Sequence, residues 1–209
     1  MDKIFKTEHR RNMNKNIKHS LLYSQIVFII LLPVWIELTK YLHPIVVGVV
    51  WFCVYFLVLF GVFWAKNEKI RLSKNIFHGL TIFYSIGLLI LLFFRPNGQS
   101  HRTINLIPFD TIFFYLTGNV DYLIALYNLG ANIGLFIPFG LYYRYTKKTP
   151  GMKQLLLISM CTISTIEWLQ YFTKRGSLDI DDLILNVLGV CIGYLFYPFF
   201  QKVLVVKEP

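Results

Sequence analysis

The chain has 209 residues, of which 56% are hydrophobic, 17% aromatic and 15% charged, with a mean hydropathy of +0.54. Average soluble domains carry about 25% charged residues, so this composition excludes a disordered chain and most cytosolic enzymes. The three cysteines all lie inside apolar runs, without the spacing of a disulfide framework or a zinc site. The sequence therefore predicts an integral membrane protein, with no cofactor and no bound metal.

Six apolar stretches are long enough to cross a bilayer, which takes about 20 residues per helix. Helices are the default spanning element, because every backbone polar group must be satisfied within the segment. The predicted fold class is therefore an all-α, polytopic membrane bundle of about six transmembrane helices. The stretches are residues 20–38, 44–65, 76–94, 122–143, 154–173 and 179–200.

The distribution of charge predicts the orientation. Sixteen of the 21 Lys and Arg residues lie in the N-terminal tail, the second and fourth loops and the C-terminal tail. Cytoplasmic segments collect basic residues, so both termini are predicted to be cytoplasmic and the third loop external. The formal charge of +10 is thus an orientation signal, and we expect membrane lipids as partners and no nucleic acid. The predicted localisation is a plasma membrane, crossed several times.

These features divide the chain into four predicted segments. They are a basic cytoplasmic tail at 1–19, a two-helix extension at 20–75, a transmembrane domain at 76–200 and a cytoplasmic tail at 201–209. The transmembrane domain contains the predicted helices at 76–94, 122–143, 154–173 and 179–200, together with an outer loop at 95–121.

The outer loop contains a long motif-rich run, RPNGQSHRTINLIPFDTIFFYL, from Arg95 to Leu116. A loop of this length is typical of a functional segment or of a disordered one, and its apolar second half argues against disorder. We expect INLIPFDTIFFYL to dip back into the membrane interface or to pack over the bundle. The alternative is a surface amphipathic lid without a ligand.

The fourth span carries Asp121, Asn128 and Asn132, which fall within about 40° on a helix and predict a polar stripe. Pro138 is predicted to remove a backbone hydrogen bond within this span, which leaves a carbonyl that a neighbour or water must satisfy. The alternative reading of the asparagines is interhelical hydrogen bonding alone, worth about 1 kcal/mol.

Acidic residues mark the fifth and sixth spans. Glu167 lies within a span, where an ionisable residue is by default a functional-site hypothesis. Its predicted partners are Arg95, Arg175 or the asparagines of the fourth span, and the alternative is an ion pair that only clamps two helices. On the sixth span, Asp179 and Asp182 begin a polar line.

That polar line continues to Asn186, and Gly189 and Gly193 extend it within about 80°. Asp181 points to the opposite side. Ser177 or Asp179 is the expected N-cap of this helix, and the GxxxG pair would let another helix approach closely. We therefore predict a polar pocket at the outer ends of the third to sixth helices. Its residues are Arg95, Arg102, Asn105, Asn132, Glu167, Gln170, Arg175, Asp179, Asp182 and Asn186.

The same positions resemble the VanZ-like family of small bacterial membrane proteins, named for an accessory protein of glycopeptide resistance. The similarity lies in NLIPF from Asn105, N-x-x-x-F-x-P-F-G from Asn132, E-x-x-Q from Glu167 and R-x-x-x-D-x-x-D-x-x-x-N-x-x-G from Arg175. It adds Pro108, Phe109 and Pro138 to the family-typical positions. The resemblance implies a bacterial envelope protein linked to teicoplanin-type glycopeptides, and it assigns no residue a catalytic role.

Three functions remain open. The leading hypothesis is a non-enzymatic protein that binds an amphiphile at the outer leaflet, either a lipid-linked cell-wall precursor or the glycopeptide antibiotic, with arginines meeting its phosphate or carboxylate. The second is an intramembrane enzyme acting on polyprenyl phosphates, with Glu167 or Asp182 as general base. The third is a transporter or flippase for the same lipids, using Glu167 as a gate.

Overall fold

The computed structural model describes residues 2–39, 45–93, 104–118, 120–147 and 149–207. The chain is predominantly helical, as the sequence predicts. The helices are α1 (Asp2–Ile30), α2 (Leu32–Thr39), α3 (Ile45–Ala65), α4 (Lys74–Phe93), α5 (Asp110–Leu116), α6 (Tyr122–Thr146), α7 (Met152–Phe172) and α8 (Ile180–Val203). The strands are β1 (Ile70–Ser73), β2 (Ile104–Asn105), β3 (Leu178–Asp179) and β4 (Leu204–Lys207).

Four of the described helices, α4, α6, α7 and α8, are long and apolar enough to cross a membrane. A shorter apolar stretch, Val50–Ala65, lies in α3. The first predicted span, 20–38, is divided between α1 and α2 by a turn at Leu31, two residues before Pro33. The number of six spans and the cytoplasmic termini stay predictions.

The chain divides into two compact units, Met1–Leu72 with Gln201–Glu208, and Ser73–Phe200. In the first unit α1 packs against α3, and β1 pairs with β4. Buried Asn16, Ser20 and Ser24 follow one face of α1 at four-residue steps. The Asn16 amide donates to the Glu68 carboxylate and accepts from the Lys66 ammonium, which ties α1 to the chain just after α3.

The second unit contains the core that positions the candidate site. Its buried cluster is built from residues of α4, α6, α7 and α8. The cluster consists of Leu88, Phe136, Tyr143, Leu155, Ile163 and Val190.

Close packing of α6 against α8 depends on three glycines. A Cβ added to Gly189 would lie 2.1 Å from the Ile133 carbonyl oxygen, and one added to Gly193 would lie 2.0 Å from that of Ile137. From the other helix, a Cβ on Gly140 would lie 1.9 Å from the Val190 carbonyl oxygen. The close approach predicted from the GxxxG pair is confirmed, and it allows dispersion and Cα–H···O contacts between the backbones.

Two prolines lie inside these helices, yet neither ends its helix. Pro138 lies inside α6, which continues to Thr146, and it lacks the N–H that would bond the Gly134 carbonyl, as the sequence predicts. Pro198 in α8 lacks the N–H that would bond the Tyr194 carbonyl. That carbonyl accepts instead from Arg144 Nη1 at 3.0 Å, and the guanidinium also lies 4.7 Å from the centre of the Tyr194 ring.

The short strands were not predicted from sequence. Each has between two and four residues. A segment of that length is too short for the alternating pattern that identifies a strand. Their positions depend instead on which loops the helices bring together.

Replacing Gly193 by Ala is expected to destabilise the α6–α8 pair, because the new Cβ meets the Ile137 backbone and the helices must separate. We expect a loss of about 1–3 kcal/mol, seen as a lower melting temperature of the detergent-solubilised protein. Gly134→Ala is the matched control, since nothing lies within 4 Å of its added Cβ. Equal melting temperatures for the two variants would contradict the tight crossing.

Candidate functional site

Two short strands bring the predicted outer loop against the start of α8. β2 and β3 pair in parallel, with Ile104 opposite Leu178 and Asn105 opposite Asp179. Because the NLIPF motif begins at Asn105, this pairing places the motif beside the acidic run that opens α8. The two most polar sequence motifs therefore form one region.

Asp181 is the buried centre of this region, with 0% of its surface exposed. Its carboxylate accepts the backbone N–H groups of Phe109 at 2.6 Å and Ile112 at 3.1 Å. A helix leaves its first N–H groups unpaired and presents a partial positive charge there, so a carboxylate is a favourable partner. Phe109 makes no side-chain cap of its own. Asp181 therefore caps α5 from a distant part of the chain.

The turn before α5 has a strained backbone. Phe109 has φ of +68° and ψ of 1°, values of the third residue in a type II turn, and Pro108 occupies the second position. A non-glycine residue is uncommon there and costs about 1–3 kcal/mol, so the surroundings must hold it. The hydrogen bond from the Phe109 N–H to Asp181 is the contact that does so.

A chain of hydrogen bonds links the motif to the first turn of α8. The Asn105 amide donates to Thr111 Oγ1 at 3.0 Å, and Thr111 donates to Asp179 Oδ2 at 2.6 Å. The other Asp179 oxygen accepts the Asp181 N–H at 2.9 Å, which is the bond of an N-cap. Of the two predicted caps of this helix, Ser177 and Asp179, the structure has Asp179 in that role.

A second connection joins the polar faces of α6 and α8. The Asn132 amide donates to Asp182 Oδ1, and a hydrogen bond to a charged acceptor is worth about 1.5–3 kcal/mol. Asn186 lies one turn further along α8 and is 4% exposed. Its Oδ1 has no hydrogen-bond donor in the described part of the chain. The polar line predicted on α8 thus ends at an unsatisfied amide oxygen.

Glu167 is 6% exposed and lines a cavity of about 250 Å³ between α7 and the start of α8. The carboxylates of Asp179 and Asp182 are close enough to repel it electrostatically. Among the described residues, no hydrogen bond reaches the Glu167 carboxylate. The polar lining groups are Ser164, Glu167 and Asp179, and the apolar ones are Ile104, Leu106, Trp168, Leu178, Ile180 and Leu183.

The end of α7 fixes Gln170 and the backbone of Arg175. The Arg175 N–H bonds the Gln170 carbonyl at 2.8 Å and the Lys174 N–H bonds the Tyr171 carbonyl at 3.2 Å, the pair of bonds that defines a Schellman motif. Lys174, at φ of +58°, takes the left-handed position. The Gln170 amide donates to the Leu92 carbonyl at 3.1 Å, so this side chain joins α7 to the end of α4.

The structure therefore gathers Asn105, Asn132, Glu167, Asp179 and Asp182 at one end of α6, α7 and α8. Their role in binding a ligand stays a prediction. Pro108 and Phe109 form the turn beside them, Asn186 lies a turn deeper, and Gln170 is directed to α4. Predicted residues Arg95 and Arg102 lie outside the described residues.

The three residues of the predicted polar stripe on α6 make different hydrogen bonds. Asn128, which is half-buried, donates to the Ile124 carbonyl of its own helix at 2.9 Å, because a polar side chain can bond back to the preceding turn. Asn132 was one expected partner of Glu167, but its amide nitrogen donates to Asp182. Asp121 caps α6 by accepting the Leu123 N–H at 2.8 Å.

Sequence reasoning missed Asp181, because its position opposite Asp179 and Asp182 excluded it from the polar face. The signal was present in another form. Asp181 lies in the first turn of an apolar helix but not on its polar face. A buried aspartate in such a position needs a hydrogen-bond donor, and backbone N–H groups are the commonest neutral donors.

Within the described residues, no group of three or more His, Cys, Asp or Glu side chains is arranged to hold a metal ion.

Comparison with known proteins identifies the family of the region that contains the site. A family model described as VanZ/LLP1 matches residues 81–201, more than half of the chain. The chain belongs to the VanZ/LLP1 family. Over 138 residues it is 28% identical to Protein VanZ of Enterococcus faecium, in an alignment covering 63% of this chain and 79% of that protein. No solved structure gives a significant match.

The VanZ/LLP1 region runs from within α4 to within α8 and contains every predicted site residue. Helices α1 to α3 lie outside it. The Asp181 cap, the turn at Pro108 and the glycine crossing all fall inside the matched residues. Family membership and the architecture of the site thus coincide in the second compact unit.

Replacing Asp181 by Ala is expected to loosen α5, because two backbone N–H groups lose a buried acceptor at about 1–3 kcal/mol each. Hydrogen–deuterium exchange of the segment around α5 should become faster, while exchange in the centre of α6 stays slow. Asp110→Asn is the control, because it also removes one negative charge near the N-terminus of α5, from a carboxylate that is exposed. Unchanged exchange in the Asp181 variant would contradict the capping role.

Proposed function

We propose that this VanZ-family membrane protein lowers susceptibility to teicoplanin-type glycopeptides by binding an amphiphile, either a lipid-linked cell-wall precursor or the antibiotic itself. The proposed site is the cavity beside the start of α8. The observation that supports it is Glu167, a carboxylate 6% exposed that lines this cavity. A buried ionisable group in a membrane segment is costly to keep, and a binding role accounts for its presence.

The composition of the cavity supports an amphiphilic ligand. Ser164, Glu167 and Asp179 are the polar lining residues, and the six others are apolar. Sites for small molecules combine a mostly apolar lining with a few placed polar groups. Exposed Ile107, next to Leu106 of the lining, extends the apolar surface beyond the cavity. A polar head and an apolar body would both find contacts here.

The proposal requires the cavity to face the outer leaflet. We propose six spans with both termini cytoplasmic, because the basic residues concentrate in the segments that this topology places inside. The start of α8 and the β2–β3 pair then lie on the external side, where glycopeptides act. Arg144, at the opposite end of α6, then lies on the cytoplasmic side.

Expression of the chain in a glycopeptide-susceptible bacterium is expected to raise the minimal inhibitory concentration of teicoplanin. Glu167→Gln should remove this increase, because it deletes the cavity charge with little change in volume. Asp110→Asn is the matched control: it removes a nearby exposed carboxylate that does not line the cavity. Membrane levels of all three proteins are compared by immunoblot.

Two results would contradict this function. The first is a wild-type chain that is present in the membrane and leaves teicoplanin susceptibility unchanged. The second is a Glu167→Gln variant that protects as well as wild type at equal membrane levels. Loss of protection in the Asp110 control as well would assign the effect to surface charge and would also count against the cavity.

The orientation is tested by labelling single cysteines. Cys53, Cys161 and Cys191 are first replaced, and one cysteine is then introduced at Ser177, just before β3, or at exposed Lys147, just after α6. A membrane-impermeant maleimide should label the Ser177 position in intact cells and the Lys147 position only after lysis. The reverse pattern would move the cavity to the cytoplasmic side and refute the outer-leaflet site.

A further inference from the structure

We propose that residues 104–116, which comprise β2, the turn at Pro108 and α5, lie in the interfacial layer of the bilayer with their exposed apolar side chains against phospholipid acyl chains. These residues are termed the interfacial segment. The occupant of this surface is thus membrane lipid. The placement goes beyond the proposed function, because it concerns a surface of the protein and holds for either orientation of the chain.

The interfacial segment exposes a large amount of apolar surface. Seven large apolar side chains within its thirteen residues are exposed, each by about half or more, and Asp110 is its one charged residue. An apolar surface of this extent marks a region that a membrane or another molecule covers. The seven are Ile104, Leu106, Ile107, Phe109, Phe113, Phe114 and Leu116.

The backbone donors of the turn find acceptors within the protein. The Ile107 N–H donates to Asn105 Oδ1 at 3.1 Å, and the Phe109 and Ile112 N–H groups donate to the Asp181 carboxylate. Lipid offers no partner to a backbone N–H, so a non-spanning segment can leave water only when its donors are satisfied internally. A lid that stays in water has no such requirement. These hydrogen bonds therefore favour the interface over the surface lid.

Two contacts place the segment at the depth where spans end. Asp181, which accepts the Phe109 N–H at 2.6 Å, lies in the first turn of α8. Trp168, near the end of α7, lines the same cavity as Ile104 and Leu106. Tryptophan is enriched where spanning helices meet the membrane–water interface. The start of α8 and the end of α7 thus give the same depth for the segment.

The apolar surface of the segment continues onto that of α7, which is why lipid is its occupant. Trp168 borders Ile104 and Leu106 at the cavity, and Leu169 and Phe172 extend the exposed apolar surface along the same end of α7. The exposed apolar side chains of a spanning helix face acyl chains, because the bilayer surrounds the helix. The adjoining side chains of the segment then meet the same lipid. A second copy of the chain is the alternative cover.

Asp110 limits how deeply the segment lies. Its carboxylate is exposed at the start of α5. A charged side chain is costly at the centre of a bilayer, whereas the headgroup layer solvates it. The segment therefore lies at the boundary of headgroups and acyl chains, with its apolar side chains reaching about 5–10 Å into that boundary.

This placement also brings one wall of the cavity to the bilayer. Ile104 and Leu106 line the cavity and are more than half exposed. Their exposed sides then face acyl chains. The amphiphile of the proposed function would reach this wall from within the membrane, without crossing water.

The test measures the depth of spin labels on the full-length protein in vesicles of phosphatidylcholine and phosphatidylglycerol. The native cysteines are replaced, and Ile107→Cys, Phe113→Cys or Leu116→Cys supplies the labelling position. Collisions of the label with O₂, which concentrates among acyl chains, are compared with collisions with a water-soluble nickel complex. Phe83→Cys, at a side chain 78% exposed near the middle of α4, is the lipid control. Lys147→Cys, at an exposed position just after α6, is the water control.

The ratio of oxygen to nickel collisions is expected to be at least about fivefold higher at the three segment positions than at Lys147, and lower than at Phe83. A ratio equal to that at Lys147 would place the segment in water and overturn the proposal. A ratio as high as that at Phe83 would place it in the bilayer core and refute the interfacial depth. Low collision rates with both reagents would show that protein, such as a second copy, covers the surface, which would also refute lipid as the occupant.

A measurement on the unmodified chain removes any dependence on the folding of the cysteine variants. Phosphatidylcholine with a diazirine in the upper part of one acyl chain is included in the same vesicles and photolysed. Adducts mapped by mass spectrometry are expected within residues 104–116. Adducts on α4 with none on the segment would contradict the placement. If the segment is found in water while Glu167→Gln still removes teicoplanin protection, the placement is wrong and the proposed function stands.

Discussion

The candidate site depends on one interaction, the acceptance of the Phe109 and Ile112 N–H groups by the buried Asp181 carboxylate. A seven-residue helix has too little hydrogen bonding of its own to be stable alone. With the carboxylate at its positive end, α5 gains a cap and the strained Phe109 backbone gains a fixed position. The β2–β3 pair and the cavity wall at Ile104 and Leu106 follow from that anchoring.

The four carboxylates of this region have different roles although they lie within two short segments of sequence. Asp181 is saturated by backbone donors, Asp179 caps its helix and bonds Thr111, and Asp182 accepts from Asn132. Glu167 alone among these lacks a hydrogen bond from the described residues. Asp181 and Asp179 thus hold backbone N–H groups in place, and Asp182 joins α8 to α6.

The sequence predicted the long helices well, because apolar runs bounded by polar loops define their own ends. The predicted runs at 76–94 and 179–200 differ from α4 and α8 by at most three residues at either end. It also predicted the glycine contact of α8. The role of Asp181 and the β2–β3 pair could not be predicted, because both join segments that are distant in sequence. The helical periodicity around Asp181 separated it from the polar line, and it gave no sign of the backbone N–H groups that Asp181 accepts.

The parallel pairing of β2 with β3 also has a consequence for biogenesis. Asp181 is 72 residues after Phe109, so the acceptor for the α5 turn is synthesised long after the turn itself. In a two-stage view, hydrophobic helices insert first and associate afterwards. The NLIPF turn can then form its hydrogen bond to Asp181 only after α8 has been inserted. The cavity wall that it forms is accordingly among the last parts of the protein to mature, and a chain released before α8 is made would carry the motif without the site.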